Sequence, residues 1–136
     1  MKKKGLIVVS NYYEDISKNL INGCKEILKK HSHQFDVKIV NGSLEIPTLI
    51  SINIKKKKYN FFIALGCIIK GKTPHFDFIS EAITKSLLDL SITNNIPVTN
   101  GIITSLNYTQ AKERSSKNRN KGKEAALAAI SLLKNI

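Results

Sequence analysis

Cysteine is scarce in this chain: two in 136 residues, Cys24 and Cys67, with neither a Cys-x-x-Cys pair nor a nearby histidine pair at metal-ligand spacing. No metal site is expected, and the two read as structural thiols in a reducing compartment. Long apolar runs are missing too. None approaches the ~18 residues of a membrane helix, and residues 1–5 are followed only by a short apolar segment without a small-residue cleavage site. The expectation is a soluble cytoplasmic protein with no membrane partner. Arginine is the third scarcity. The net charge is +12, and lysine-rich runs at 2–4, 55–58 and 117–123 have the outward form of a nucleic-acid binder, yet Arg114 and Arg119 are the only arginines among 22 basic residues. Bidentate recognition of bases or phosphates favours arginine. Isoleucine and asparagine are also abundant, so the charge reads as a solvated face produced by compositional drift, and a nucleic-acid partner is not expected. Finally, there is no G-x-G-x-x-G and no metal-ligand cluster.

What is present is a regular alternation. Residues 5–10 (GLIVVS) form a β-branched run, after which Ile16, Leu20, Cys24, Ile27 and Leu28 share one helical face. Residues 31–34 break that helix. Phe35, Val37 and Ile39 then alternate as in a strand, Asn41-Gly42 ends it, and Ile46, Leu49, Ile50 and Ile54 restore helical spacing with Pro47 in the first turn. After the exposed lysines 55–58, residues 61–69 are the most apolar strand and so a central one. A helix from Pro74 runs to Asn94-Asn95, and a fourth strand spans 96–104. A short helix over 109–115, a basic loop over 116–122 and a final helix over 123–135 complete the order. This is the pattern of an α/β three-layer α/β/α sandwich with a four-stranded parallel sheet in flavodoxin-like order, one domain over 1–136. At that length it buries somewhat under ~70% of its unfolded surface.

In such sheets ligands collect beyond the carboxyl ends of the strands. Four loops qualify. In GKTPHFDF, Thr73 suits an N-cap, Pro74 a first helical position and Asp77 the dipole, which is ordinary helix-start chemistry. His75 is not explained that way; beside free N–H groups suited to an anion it is a candidate proton carrier. In NGSLEIP, Gly42-Ser43 permits close backbone approach. Glu45 there can accept hydrogen bonds from ligand hydroxyls, and equally suits a helix first turn. Tyr12 and Tyr13 either stack on a planar ring or pack across the sheet edge. Arg114 and Lys121 are candidate anion ligands or solvated surface. A response-regulator receiver would need acids at strand ends, where this chain has Ser10 and Gly66-Cys67; a flavodoxin would need a Ser/Thr-rich phosphate loop, which SNYYED is not.

The ordered set VSNYY, NGSLEIP, ALGCIIKGKTPHFDFISEAITKSLLDLS, PVTNGIIT, QAKERS and NKGKEAA closely resembles the lumazine synthase family over nearly the whole chain, with GxTPHFD its most specific element. The resemblance implies condensation of 5-amino-6-(D-ribitylamino)uracil with 3,4-dihydroxy-2-butanone 4-phosphate to 6,7-dimethyl-8-ribityllumazine, phosphate and water, the penultimate step of riboflavin biosynthesis, without metal or organic cofactor. It implies that Tyr12 stacks on the pyrimidinedione, that Ser43, Leu44 and Glu45 hold the ribityl chain, and that Cys67, Ile68 and Ile69 line the ring. Lys72 and Thr73 match the phosphate-binding backbone, His75 the general acid/base, Arg114 the phosphate-binding arginine and Lys121 a basic residue near the site. It also implies a homopentamer with sites between adjacent subunits, in some relatives a 60-subunit shell.

The chain departs from the family pattern at several places. Asn100 stands where the family usually has a Phe that packs on the ring from the neighbouring subunit. Lys72 is commonly a small residue, and Leu44 occupies a variable position. The loop from Arg114 to Lys121 is one residue shorter than in many shell-forming relatives, whose extra N-terminal strand has no counterpart before the first strand here. Two other readings stay in view. Archaeal-type riboflavin synthases resemble the fold but lack TPHFD, and a catalytically weakened polyanion-binding scaffold or shell protein of the same fold would use the +12 charge.

Overall fold

A computed structural model describes residues 3–136. Lys2, in the first lysine run, lies outside the described residues. The element order is β1 (Lys4–Ser10), α1 (Glu14–Lys30), β2 (Gln34–Val40), α2 (Glu45–Lys55), β3 (Phe61–Ile69), α3 (His75–Asn94), β4 (Val98–Ser105), α4 (Tyr108–Arg114) and α5 (Lys121–Lys134). The four strands form one all-parallel sheet in the order β2-β1-β3-β4. The expected three-layer sandwich is what forms, with β3 central as its composition required.

Period-two alternation divides the core. Ile7 and Val9 of β1 and Phe61, Ile63 and Leu65 of β3 face α1 and α5; Leu6 and Val8 with Phe62 and Ala64 face α2 and α3. Both inner strands are therefore covered on both sides and read as unbroken apolar runs. Each fully buried Leu, Ile or Phe contributes about 1.5–3 kcal/mol, which is why these runs decide the architecture. On α1 the buried residues Ile16, Leu20, Cys24 and Leu28 fall every fourth position, one stripe against the sheet. That helix ends where Ser32 enters the left-handed region at φ 61, and α3 ends the same way at Asn95, φ 52.

Several boundaries differ by one or two residues from the sequence expectation, and three of them show a cause. The final helix starts at Lys121 rather than 123, because buried Asn120 caps it: its Oδ1 accepts the Lys123 N–H at 3.1 Å, while its Nδ2 donates to the carbonyls of Asn19 (2.9 Å) and Ser115 (3.0 Å). Gly122 then lies against the Leu20 carbonyl, too close for any Cβ, so α5 packs tightly on α1. Lys121 accordingly begins a helix and is not in a loop. β4 starts at Val98 rather than Ile96, since Pro97 has no N–H for the ladder, although its carbonyl accepts the Phe62 N–H at 2.9 Å. The helix after β3 begins at His75 rather than Pro74: Pro74 holds the N-cap position with no side-chain cap, so Thr73 is not the N-cap expected, although its hydroxyl accepts the His75 N–H at a long 3.4 Å.

Candidate active site

Chain direction across the sheet reverses between β1 and β3: α1 leaves β1 for one edge and one face, whereas α2 and α3 cover the other face on the way to β3 and β4. Loops therefore part above the carboxyl ends of β1 and β3 and leave a crevice there. A cleft of about 340 Å³ occupies that place. Larger hollows lie between α2 and α3 (about 450 Å³) and at the opposite end of the strands (about 640 Å³), but neither stands where the connections diverge. Position in the topology, not size, selects the cleft.

Four segments build its walls. Tyr12 and Tyr13 follow β1; Gly42, Ser43, Leu44 and Glu45 lead into α2; Cys67, Ile68 and Ile69 end β3; His75 and Ile79 come from the first turns of α3. Ser10 fastens two of these segments: its hydroxyl shares a 3.1 Å hydrogen bond with that of Ser43, and its carbonyl accepts the Ser17 hydroxyl at 2.6 Å. Gly66 on β3 makes room for this pair, since a Cβ there would fall on Ser10 Oγ. Glu45, which lines the cleft, reaches back so that its Oε1 accepts the Gly42 N–H at 2.9 Å, fixing the turn.

Most of the expected residues meet here. Tyr12, Ser43, Leu44, Glu45, Cys67, Ile68, Ile69 and His75 all line the cleft. Lys72 and Thr73 do not; both are exposed in the turn that leads to His75. Asn100, Arg114 and Lys121 lie elsewhere in the chain. Asn100 is half-buried on edge strand β4, where its Oδ1 accepts the N–H of Ile102 at 2.9 Å; Arg114 closes α4 and Lys121 opens α5. Sequence reasoning left out Ile79 as a wall residue. The signal was available, since positions 75 and 79 are one helical turn apart and share a face.

The family model for 6,7-dimethyl-8-ribityllumazine synthase matches residues 2–136. The chain belongs to that family. Proteins of that name from Buchnera aphidicola subsp. Baizongia pistaciae (strain Bp) and Prochlorococcus marinus (strain MIT 9215) are similar to it. The first is 46% identical over 137 residues, covering 97% of this chain and 86% of the relative. The second is 36% identical over 140 residues, covering 96% and 89%. The protein of the same name from Prochlorococcus marinus (strain MIT 9301) is also 36% identical over 140 residues.

Among lumazine synthase features, the chemistry of the walls is specific. Burial first, and the nearby Asp15 carboxylate second, push the Cys67 thiol up to about 12, so it stays protonated and serves as apolar wall rather than nucleophile. Burial, then Cys67 and Tyr12, raise the Tyr13 phenol above its ordinary value. The remaining titratable groups of the cleft are Tyr12, Glu45 and His75. No group of three or more His, Cys, Asp or Glu side chains able to hold a metal occurs among the described residues, and no helix there is long and apolar enough to cross a membrane.

Proposed function

We propose that the chain condenses 5-amino-6-(D-ribitylamino)uracil with 3,4-dihydroxy-2-butanone 4-phosphate to 6,7-dimethyl-8-ribityllumazine, releasing phosphate and water, as a cytoplasmic enzyme of riboflavin biosynthesis. The observation that carries this reading is the convergence, in one cleft, of an aromatic wall, a hydrogen-bonding Glu45 turn and His75 in a chain matched end to end by the family. In it Tyr12 stacks on the flat pyrimidinedione, backed by the apolar strand end of Cys67, Ile68 and Ile69. Ser43, Leu44 and Glu45 hold the ribityl chain, the carboxylate accepting from its hydroxyls. The phosphate rests on the backbone of Lys72 and Thr73 at the N-terminus of α3, where unpaired N–H groups and the helix dipole favour an anion.

The chemistry asks mainly for orientation and a proton carrier. Attack of the 5-amino group on the ketone forms an imine and expels one water. Removal of the proton from the neighbouring carbon lets the phosphate leave with its bonding pair, and the resulting enol becomes a ketone. The ribityl-bearing nitrogen closes the second ring on that ketone with loss of a second water. Each step moves a proton, and an imidazole can serve as both donor and acceptor. His75 is the group placed for this. Holding both substrates in one cleft lowers the barrier further by making an encounter of two molecules effectively intramolecular.

Asn100, Arg114 and Lys121 stand outside the cleft of their own chain, and we assign them to the cleft of an adjacent chain in a homopentamer. Arg114 would then clamp the phosphate through charge-assisted hydrogen bonds, with Lys121 beside it. Asn100 would close the site with a polar amide: its oxygen is engaged by Ile102, so its NH₂ group is what it offers. Mixing both substrates with purified protein and following the lumazine chromophore tests the reading. Product is expected; competent substrates giving none overturn it, and steep salt-dependent RNA binding in that case would favour the scaffold alternative.

A further inference from the structure

Tyr12 is 75% exposed, and its phenol makes no hydrogen bond among the described residues. What orients it is Tyr13, whose ring it meets edge-on with centroids 4.9 Å apart. Tyr13 in turn leans on Tyr108 of α4, at 6.4 Å and 59°. Tyr108 is tied down at both ends. Its hydroxyl donates to Asp15 in the first turn of α1, and its backbone opens a helix fixed by capping: Asn107 Oδ1 accepts the Gln110 N–H at 2.8 Å, and Gln110 Oε1 accepts the Leu106 N–H at 2.9 Å. The bond to Asp15 raises the Tyr108 phenol and lowers the Asp15 carboxyl, as expected of a charge-assisted contact. By contrast, no side chain caps the N-terminus of α1, where Tyr13 stands. The row Asp15–Tyr108–Tyr13–Tyr12 is thus the support of the cleft's aromatic wall.

The geometry points to Asp15 and Tyr108 as positioning residues for the pyrimidinedione: they hold Tyr13, and through it Tyr12, in the attitude that receives a flat ring. This rests on the function proposed above but assigns work to two residues outside the cleft. A wall ordered before the substrate arrives spares the cost of fixing exposed side chains on binding. The effect belongs to the ring substrate, since neither residue touches the phosphate turn of Lys72 and Thr73, and α4, which carries Arg114, is held by its Asn107 and Gln110 caps independently of Asp15.

The test compares Asp15→Ala, which keeps all four tyrosines, with wild type and with Asp15→Asn, which keeps a hydrogen-bond acceptor. The chain has no tryptophan, so near-ultraviolet circular dichroism reads its tyrosines directly, without substrate. Asp15→Ala should weaken the tyrosine band and raise the KM for the ribitylaminouracil about two- to tenfold, the range that loss of an aromatic contact spans. The KM for the butanone phosphate and kcat should hold, and Asp15→Asn should restore both readouts. A wild-type band with wild-type KM values in Asp15→Ala overturns the inference. So does a parallel rise of both KM values with a lower Tm, which marks general loosening. A wild-type protein that forms no lumazine instead removes the proposed function, while the dichroism comparison still decides whether the Asp15 bond orders the wall.

Discussion

Removing the imidazole of His75 should cost turnover rather than binding. The side chain is exposed at the start of α3 and supports no packing, so His75→Ala leaves the walls of the cleft in place while taking away the proton carrier. A general acid–base group contributes about 10²- to 10⁴-fold, and kcat is expected to fall within that range with both KM values changed little. Arg114→Ala should do the opposite. Its expected signature is a raised KM for the butanone phosphate with the KM for the ribitylaminouracil unchanged, because a guanidinium on phosphate binds ground state and transition state alike. Steady-state kinetics with each substrate varied in turn separates the two patterns. Near-normal turnover in His75→Ala would remove that residue from the mechanism.

Between elements, two side-chain junctions determine how the layers are joined. Asn120 ties α1, the end of α4 and the start of α5 with three hydrogen bonds from one buried amide. Asn120→Ala loses a helix cap and two further buried hydrogen bonds, and is expected to lower stability by about 2–4 kcal/mol in urea unfolding. At the opposite end of the sheet, Tyr59 donates to Asp36 Oδ2 at 2.6 Å, with Lys4 and Lys58 at 3.4 and 3.5 Å from the same oxygen. Burial, then the bond to Asp36, pushes the Tyr59 phenol up to about 12, above its unfolded value near 10. A raised native value means the contribution is complete below about pH 10 and disappears as pH climbs through about 12. On the acid side the sign reverses. The bond from Tyr59, then the lysines, lower the Asp36 carboxyl, so its contribution holds above about pH 4 and is lost as pH falls through the lowered native value. Tyr59→Phe should therefore be less stable at neutrality and show a flatter urea midpoint between pH 10 and 12. An equally steep decline in the variant would move the alkaline transition to other groups.

At the scale of the whole molecule, layers and strand order were legible because one physical rule governs them: apolar period fixes face and type, and short crossovers fix direction. The cleft was legible as loops, since strand ends name themselves once the strands are known. Less legible was anything decided by a long-range partner. Asn120 starts α5 early because Asn19 and Ser115 sit opposite, and Tyr108 becomes a support because Asp15 lies 93 residues away. Association belongs to the same class. Phe78, Leu88 and Ile92 on α3 are 69%, 59% and 65% exposed, and at about 100° per residue they fall within an arc of roughly 80°, an apolar stripe with no partner in its own chain. The proposed site, which takes Arg114 and Lys121 from an adjacent chain, would give that stripe a reason to be covered. The chains also carry a net charge of +12 each, so assembly works against repulsion that salt screens within about 8 Å at physiological strength. The expected solution mass in such salt is five times the 15.2 kDa chain, or sixty times it if pentamers close into a shell, with dissociation favoured as salt is withdrawn. Ile92→Glu, more than three turns along α3 from the cleft residue Ile79, should shift the population to smaller species and lose activity with it, recovering neither when substrate is raised. A 15.2 kDa species that remains fully active would overturn the shared site and the pentamer together.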